Sequence, residues 1–277
     1  MPLSINTNIA SMTAQRSFFN SNSSLEQAFE RLSTGKRVNS AVDDAAGLAI
    51  GKDLESRVSG LNQAVRNVND GISMVQILEG AYDEVTTIVQ RMWDLAVQAA
   101  NESLSSTERA YLDSEQAKLV TALDSVMDQA KFGNVDLATG STVNVTIHSG
   151  AEAADTITLA MTTASNDNAD ALSIDAADIV LTTTAGATSA IGDLDTALNT
   201  IAAQRSALGS QQSQLESVVR NLANVAENTA AAAGRIMDTD YAAETANLTK
   251  AQILQQAATS ILAQANAQPQ AVLALLQ

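Results

Sequence analysis

Few residues of this 277-residue chain stand where their types would do chemistry. The sole histidine, His148, follows an alternating apolar run. With no cysteine and no second histidine it lacks the partners of a usual zinc site, and it reads as a surface strand residue. Asp238-x-Asp240 has the opening spacing of a calcium loop. Ala242 and Ala243, however, occupy the next ligand and glycine positions, so these acids read as helix caps. Gly35-Lys36 is no phosphate loop, because Glu30 stands where its first glycine belongs and Arg37 where Ser or Thr belongs. Neither G-x-S-x-G nor G-x-G-x-x-G occurs. Acids are plentiful, yet none is bracketed by the neighbours that tune a catalytic pair. The expectation is a protein without catalytic, metal or cofactor sites, and not an enzyme.

Composition points to structure built from helices. Hydrophobic residues make up 45% of the chain, but aromatics only 3%, and there are two prolines. Long helices packed through small and aliphatic side chains follow from such a mixture. The net charge of −16 opposes binding to nucleic acid or to anionic membrane surfaces. Phe132 to Gln204 contains nine acids and neither lysine nor arginine, which suits a solvent-facing surface. No apolar run is long enough to span a bilayer. The start lacks a basic n-region, a continuous apolar stretch and a small-residue cleavage site, so no cleaved signal is expected.

The elements fall into five zones. Residues 1–34 read as an apolar helix with Ile5, Ile9, Met12 and Phe19 at helical spacing, stopped by Gly35. Asp43 and Asp44 supply cap chemistry for a second helix, to about Asn101. In it Val58, Val65, Ile72, Glu79, Thr86, Trp93 and Ala100 share one heptad position, and Leu61, Val68, Val75, Tyr82, Val89 and Ala96 lie three residues later. A third helix, about 107–130, repeats the spacing in Leu112, Leu119 and Val126, with Gln116, Leu123 and Ala130 as companions. Alternation in Val143, Val145 and Ile147, and in Ile157, Leu159 and Met161, predicts a β-hairpin within a Ser/Thr-rich zone. The heptad returns from Ile191 to Ile236, carried by Leu194, Ile201, Leu208, Leu215 and Leu222 and their companions. A final apolar helix, 241–277, carries Ile253, Leu254, Ile261, Leu262, Leu275 and Leu276, with no charged side chain after Lys250.

The fold expected is mainly α: long antiparallel helical rods in a coiled-coil-like bundle, with a small β insert. Residues 43–131 and 191–237 form the rod domain, 132–190 the surface insert, and 1–42 with 238–277 the terminal helices. The rods bury one another, whereas the terminal helices carry apolar surface too broad for one chain to hide. Their ordering is expected when many copies bury them together, as in a polymer core.

Ser4 to Asn8, Leu32 to Ser40 and Asp43 to Ile50 resemble the N-terminal region of bacterial flagellins, as do Asn67 to Gly71 and Arg91 to Asn101. Arg235 to Glu244 and Ile261 to Asn266 resemble the C-terminal region. The resemblance covers about 1–131 and 191–277. It implies a secreted filament subunit exported uncleaved through the flagellum-specific type III route and polymerised under a cap. An export chaperone, the filament cap and hook-junction proteins are the implied partners beside many copies of itself. The small middle zone marks a short form lacking large outer domains. An innate-immune receptor of animals reads a stretch of some flagellins that is matched here at Gln90, Arg91 and Leu95, with Trp93 replacing a basic residue. The Ser/Thr-rich middle would suit O-linked glycans. A hook–filament junction protein and a surface-displayed adhesin are the alternative functions.

Overall fold

The computed structural model describes residues 7–138, 143–161, 174 and 179–274. Helix α1 (Ile9–Thr34) opens where the Asn8 side chain accepts a hydrogen bond from Ser11 N at 3.0 Å. It closes at Gly35, whose φ of 72° lets its N–H reach Arg31 O at 2.9 Å. Helix α2 (Ala45–Ala99) is capped by Asp44, which accepts from Gly47 N at 2.8 Å. Asp43, expected to share that role, instead organises the preceding loop. It accepts from Ser40 N and Ser40 Oγ, each at 3.0 Å, and from Gln27 Nε2 at 3.0 Å. Helix α3 (Ser106–Asp128) begins with a reciprocal capping box between Ser105 and Glu108.

Two hairpins follow. The small one, β1 (Lys131–Phe132) with β2 (Val135–Asp136), turns through Gly133 at φ 59°. The sequence reading missed it, although Gly133-Asn134 is a two-residue turn signal. The expected hairpin is present as β3 (Val143–His148) and β4 (Thr156–Met161), antiparallel, with Val145 opposite Leu159 and Ile147 opposite Ile157. Helix α4 (Thr184–Met237) starts seven residues before the expected Ile191, so its first turns come from the Thr-rich end of the presumed insert. Helix α5 (Tyr241–Ala274) is capped by Asp240, which accepts from Ala242 N at 2.8 Å and Ala243 N at 3.2 Å.

Contacts divide the chain into two compact units, one of 59–227 and one of 1–58 with 228–277. The first has a continuous core along α2, α3 and α4. Its α2 seam alternates Leu61, Val68, Val75, Tyr82, Val89 and Ala96 with Ala64, Gly71, Leu78, Val85, Met92 and Ala99. The Val58 to Ala100 series, read as a seam position, lies half-buried along the flank instead. Glu79 and Thr86 in that series explain why: the bundle buries the stripe that keeps charge out. Ile147 and Leu159 of the hairpin join this core, and a Cβ on Gly71 would overlap Ile147 Cδ1. The hairpin is also tied by Asn67 Nδ2, donating to His148 O at 3.3 Å, and Gln211 Nε2, donating to Ala160 O at 2.9 Å. His148 itself lies exposed on the outer side of β3.

In the other unit α1 and α5 run antiparallel. Asn8 Nδ2 donates to Ala265 O at 2.7 Å, Ser11 Oγ to Asn266 Oδ1 at 2.8 Å, and Gln255 Nε2 to Asn22 Oδ1 at 3.0 Å. The turn after α1 meets the turn after α4: Arg37 N donates to Met237 O at 2.6 Å, and Thr239 N to Gly35 O at 3.0 Å.

Candidate assembly surface

What α1 and α5 bury between them is small. Ala14 and Ala28 on α1, and Ala251, Ala258 and Ala265 on α5, are each at most 6% exposed. The α5 alanines recur every seven residues, a period that keeps one narrow face toward the partner helix. Small seam residues let two backbones come close, and the polar ties above fix the register. Sequence reasoning missed these positions because it ranked the large apolar residues first. The seven-residue recurrence of alanine was the available signal.

The large apolar side chains point the other way. Ile9 and Phe19 are each 69% exposed, Ile253 is 61% and Ile261 is 55%. Met12 and Leu254 are also exposed, and Leu262 is half-buried. Ile5, Leu275 and Leu276 lie outside the described residues. Between the exposed stripes runs an apolar groove of about 630 Å³, bounded by Ile9, Thr13, Ser17, Leu254, Ala257 and Ile261. Charge is balanced here: Arg16 and Arg31 against Glu26 and Glu30 on α1, and Lys250 against Glu244 on α5. The chain's −16 therefore resides elsewhere. The pair is thus nearly neutral, with small residues inside and large apolar ones outside.

Within this unit Lys36 Nζ, in the turn after α1, and Lys52 Nζ of α2 both lie 2.7 Å from Glu55. Their hydrogen bonds hold the Glu55 carboxyl down at about 2. Asp43 is likewise held at about 2, first by the Gln27 side chain and then by Ser40.

The second candidate surface lies on α2. Gln90 and Arg91 are exposed, and Arg91 forms an ion pair with Glu115 of α3 at 2.7 Å. Leu95 is 1% exposed and belongs to the core beneath them. Among the described residues no group of His, Cys, Asp or Glu is arranged to hold a metal, and no helix is long and apolar enough to cross a membrane.

Residues 5–137 match the bacterial flagellin N-terminal helical region, and 191–276 match the bacterial flagellin C-terminal helical region. The chain belongs to the bacterial flagellins. A flagellin of Halalkalibacterium halodurans is 41% identical over 273 residues, covering 99% of each chain. Flagellin A of Vibrio anguillarum is 34% identical over 379 positions, covering 100% of both. That alignment is longer than the 277 residues here, so the Vibrio relative carries residues this short flagellin lacks. A solved structure from Vibrio parahaemolyticus, of a flagellar hook-associated protein, shares the fold with a TM-score of 0.60 at 13% identity, covering 71% of this chain and 100% of that one. This flagellin is a structural subunit of the flagellar filament, an extracellular appendage, and it polymerises with copies of itself.

Proposed function

We propose that α1 and α5 are the polymer core of the filament and that their outward apolar residues are the contacts between copies. Ile5, Ile9, Met12, Phe19, Ile253, Leu254, Ile261, Leu262, Leu275 and Leu276 are the residues assigned to that packing. On this reading, residues 1–42 and 238–277 make the core domain and 43–131 with 191–237 the rod domain. Residues 132–190 then make the surface insert, held to the rods by buried side chains such as Ile147 and Leu159. The observation that carries it is the inversion in the α1–α5 pair, where alanines are buried and Ile9, Phe19, Ile253 and Ile261 are not. Burying one such side chain is worth about 1.5–3 kcal/mol, so a repeating assembly gains what the single chain forgoes. Export without a cleaved signal, and dealings with an export chaperone, the filament cap and hook-junction proteins, belong to the same proposal. Their support is family membership.

Sedimentation and negative-stain microscopy test the core assignment. The full chain is expected to form long uniform filaments, and a chain trimmed to 45–235 to remain monomeric. Phe19→Ser and Ile261→Ser should leave monomer unfolding unchanged while raising the critical concentration ~10-fold or more, since 1.4 kcal/mol is tenfold. Filaments formed equally well by the trimmed chain would sink the assignment.

A further inference from the structure

Next to the apolar groove, and sharing Ser21 and Leu254 with it, lies a polar hollow of about 380 Å³ between α1 and α5. Its lining holds two cations, Arg31 and Lys250, against one acid, Glu244, together with the amides of Asn20, Gln27 and Asn247. The cations are poorly met within the chain. Arg31 reaches Glu244 and Asp43 only at 3.9 Å, and its Nε is buried with no hydrogen-bond partner among the described residues. Lys250 is exposed and has no ion-pair partner among them. A buried guanidinium N–H left unmet is costly, and a carboxylate is the group that satisfies an Arg fork and an ammonium together.

We infer that this hollow receives Glu26 of a neighbouring copy, which locks the register and polarity of the apolar packing. The inference rests on the assignment of α1 and α5 to the polymer core. Met12, Phe19 and Glu26 recur every seven residues along one exposed stripe of α1, apolar first and acidic last. The receiving surface has the same order along its own α1. The groove spans Ile9 to Ser21 and the hollow spans Asn20 to Arg31. From the middle of the groove to the middle of the hollow is about ten residues, as it is from the Met12–Phe19 pair to Glu26, ~15 Å in each case. A parallel neighbour therefore seats its apolar residues in the groove and its carboxylate against Arg31 and Lys250. An antiparallel neighbour making the same apolar contact carries Glu26 about ten residues the other way, past Ile9 and away from Arg31 and Lys250. The hollow thus selects the head-to-tail orientation that a polar filament needs.

Charge exchange tests it in the full chain. Lys250→Glu turns the lining from one net positive to one net negative, and Glu26→Lys reverses the incoming group. Each alone should raise the critical concentration for filament formation ~10-fold or more, with monomer thermal unfolding little changed, since Lys250 is exposed and Glu26 makes only an exposed hydrogen bond, accepting from Asn22 Nδ2 at 2.7 Å. The double variant should return to within ~3-fold of the starting value, because opposite charges face each other again. Single variants that assemble like the parent overturn the inference, as does a double variant no better than either single. Failure of the underlying core assignment has a different mark: Phe19→Ser would then assemble as readily as the parent.

Discussion

At the residue scale the structure turns small differences in surroundings into opposite expectations for the same amino acid. Gly71 is buried beneath Ile147 and Leu159, whereas a Cβ at Gly80 would meet nothing within 4 Å. Gly71→Val should destabilise the 59–227 unit by about 1–3 kcal/mol through overpacking. Gly80→Ala should stabilise it by about 0.5–1 kcal/mol, since glycine inside a helix wastes backbone entropy. Thermal unfolding of the two variants side by side checks both signs. Gln116 is 1% exposed, and neither polar atom of its side chain has a partner among the described residues. Gln116→Leu is therefore expected to raise stability by about 1–3 kcal/mol, read from the same melts. The carboxyls of Asp43 and Glu55 are held at about 2, below their ordinary values of 3.8 and 4.5. A depressed carboxyl stabilises the fold above its unfolded pKa and stops doing so as pH falls toward the folded one. As pH falls from about 3.8 toward 2, then, the amides of Asn39 and Ser40, whose N–H groups donate to Asp43, should lose protection relative to their intrinsic exchange at each pH. Asp43→Asn should remove the pH dependence of that protection, and protection that stays constant over this range in the parent chain would refute it.

At the scale of elements, α1 and α5 are held by a seam that admits little volume. Ala258, 6% exposed in the middle of it, is the position to enlarge. Ala258→Leu should cost about 1–3 kcal/mol and part the helices, read as faster exchange along α1 with unit 59–227 unaffected. Slow exchange retained along α1 would show that the seam tolerates bulk. The same pair marks how far the sequence could be read. The existence of each long helix, the stop at Gly35, the cap at Asp240 and the β3–β4 hairpin were legible, because periodicity and capping chemistry are local. The seams were harder. In α2 the companion stripe is Ala64, Gly71, Leu78, Val85, Met92 and Ala99, and its alanines and glycine carry little hydropathy to betray burial. The half-buried Val58 series looked more apolar at its ends, and only packing against α3 and α4 decides between them. The early start of α4 at Thr184 was hidden by a threonine-rich stretch that propensity disfavours, while the buried Ile179 and Leu181 just before it anchor the turn. Leu181 N is held there by Asp113 Oδ1 at 2.8 Å.

For the whole molecule, charge and apolar surface are kept apart along the chain. The acids that make up −16 lie outside the balanced α1–α5 pair, so copies can bring those helices together without stacking like charges. The sequence foretold that separation, because a count of acids and bases needs no coordinates. It did not foretell that alanines would take the inside of the pair. Hydropathy ranks side chains by size, and burial in a single chain here follows the reverse order. That reversal changes how tolerance to substitution should be distributed. In an ordinary domain, buried positions demand large apolar residues and exposed positions accept nearly anything. In this chain Ala14, Ala28, Ala251, Ala258 and Ala265 should reject enlargement, while the solvent-facing Ile9, Phe19, Ile253 and Ile261 should reject polarity. A survey of variants scored for monomer folding would find the second group silent. The same survey scored for swimming cells would find it among the least forgiving in the protein.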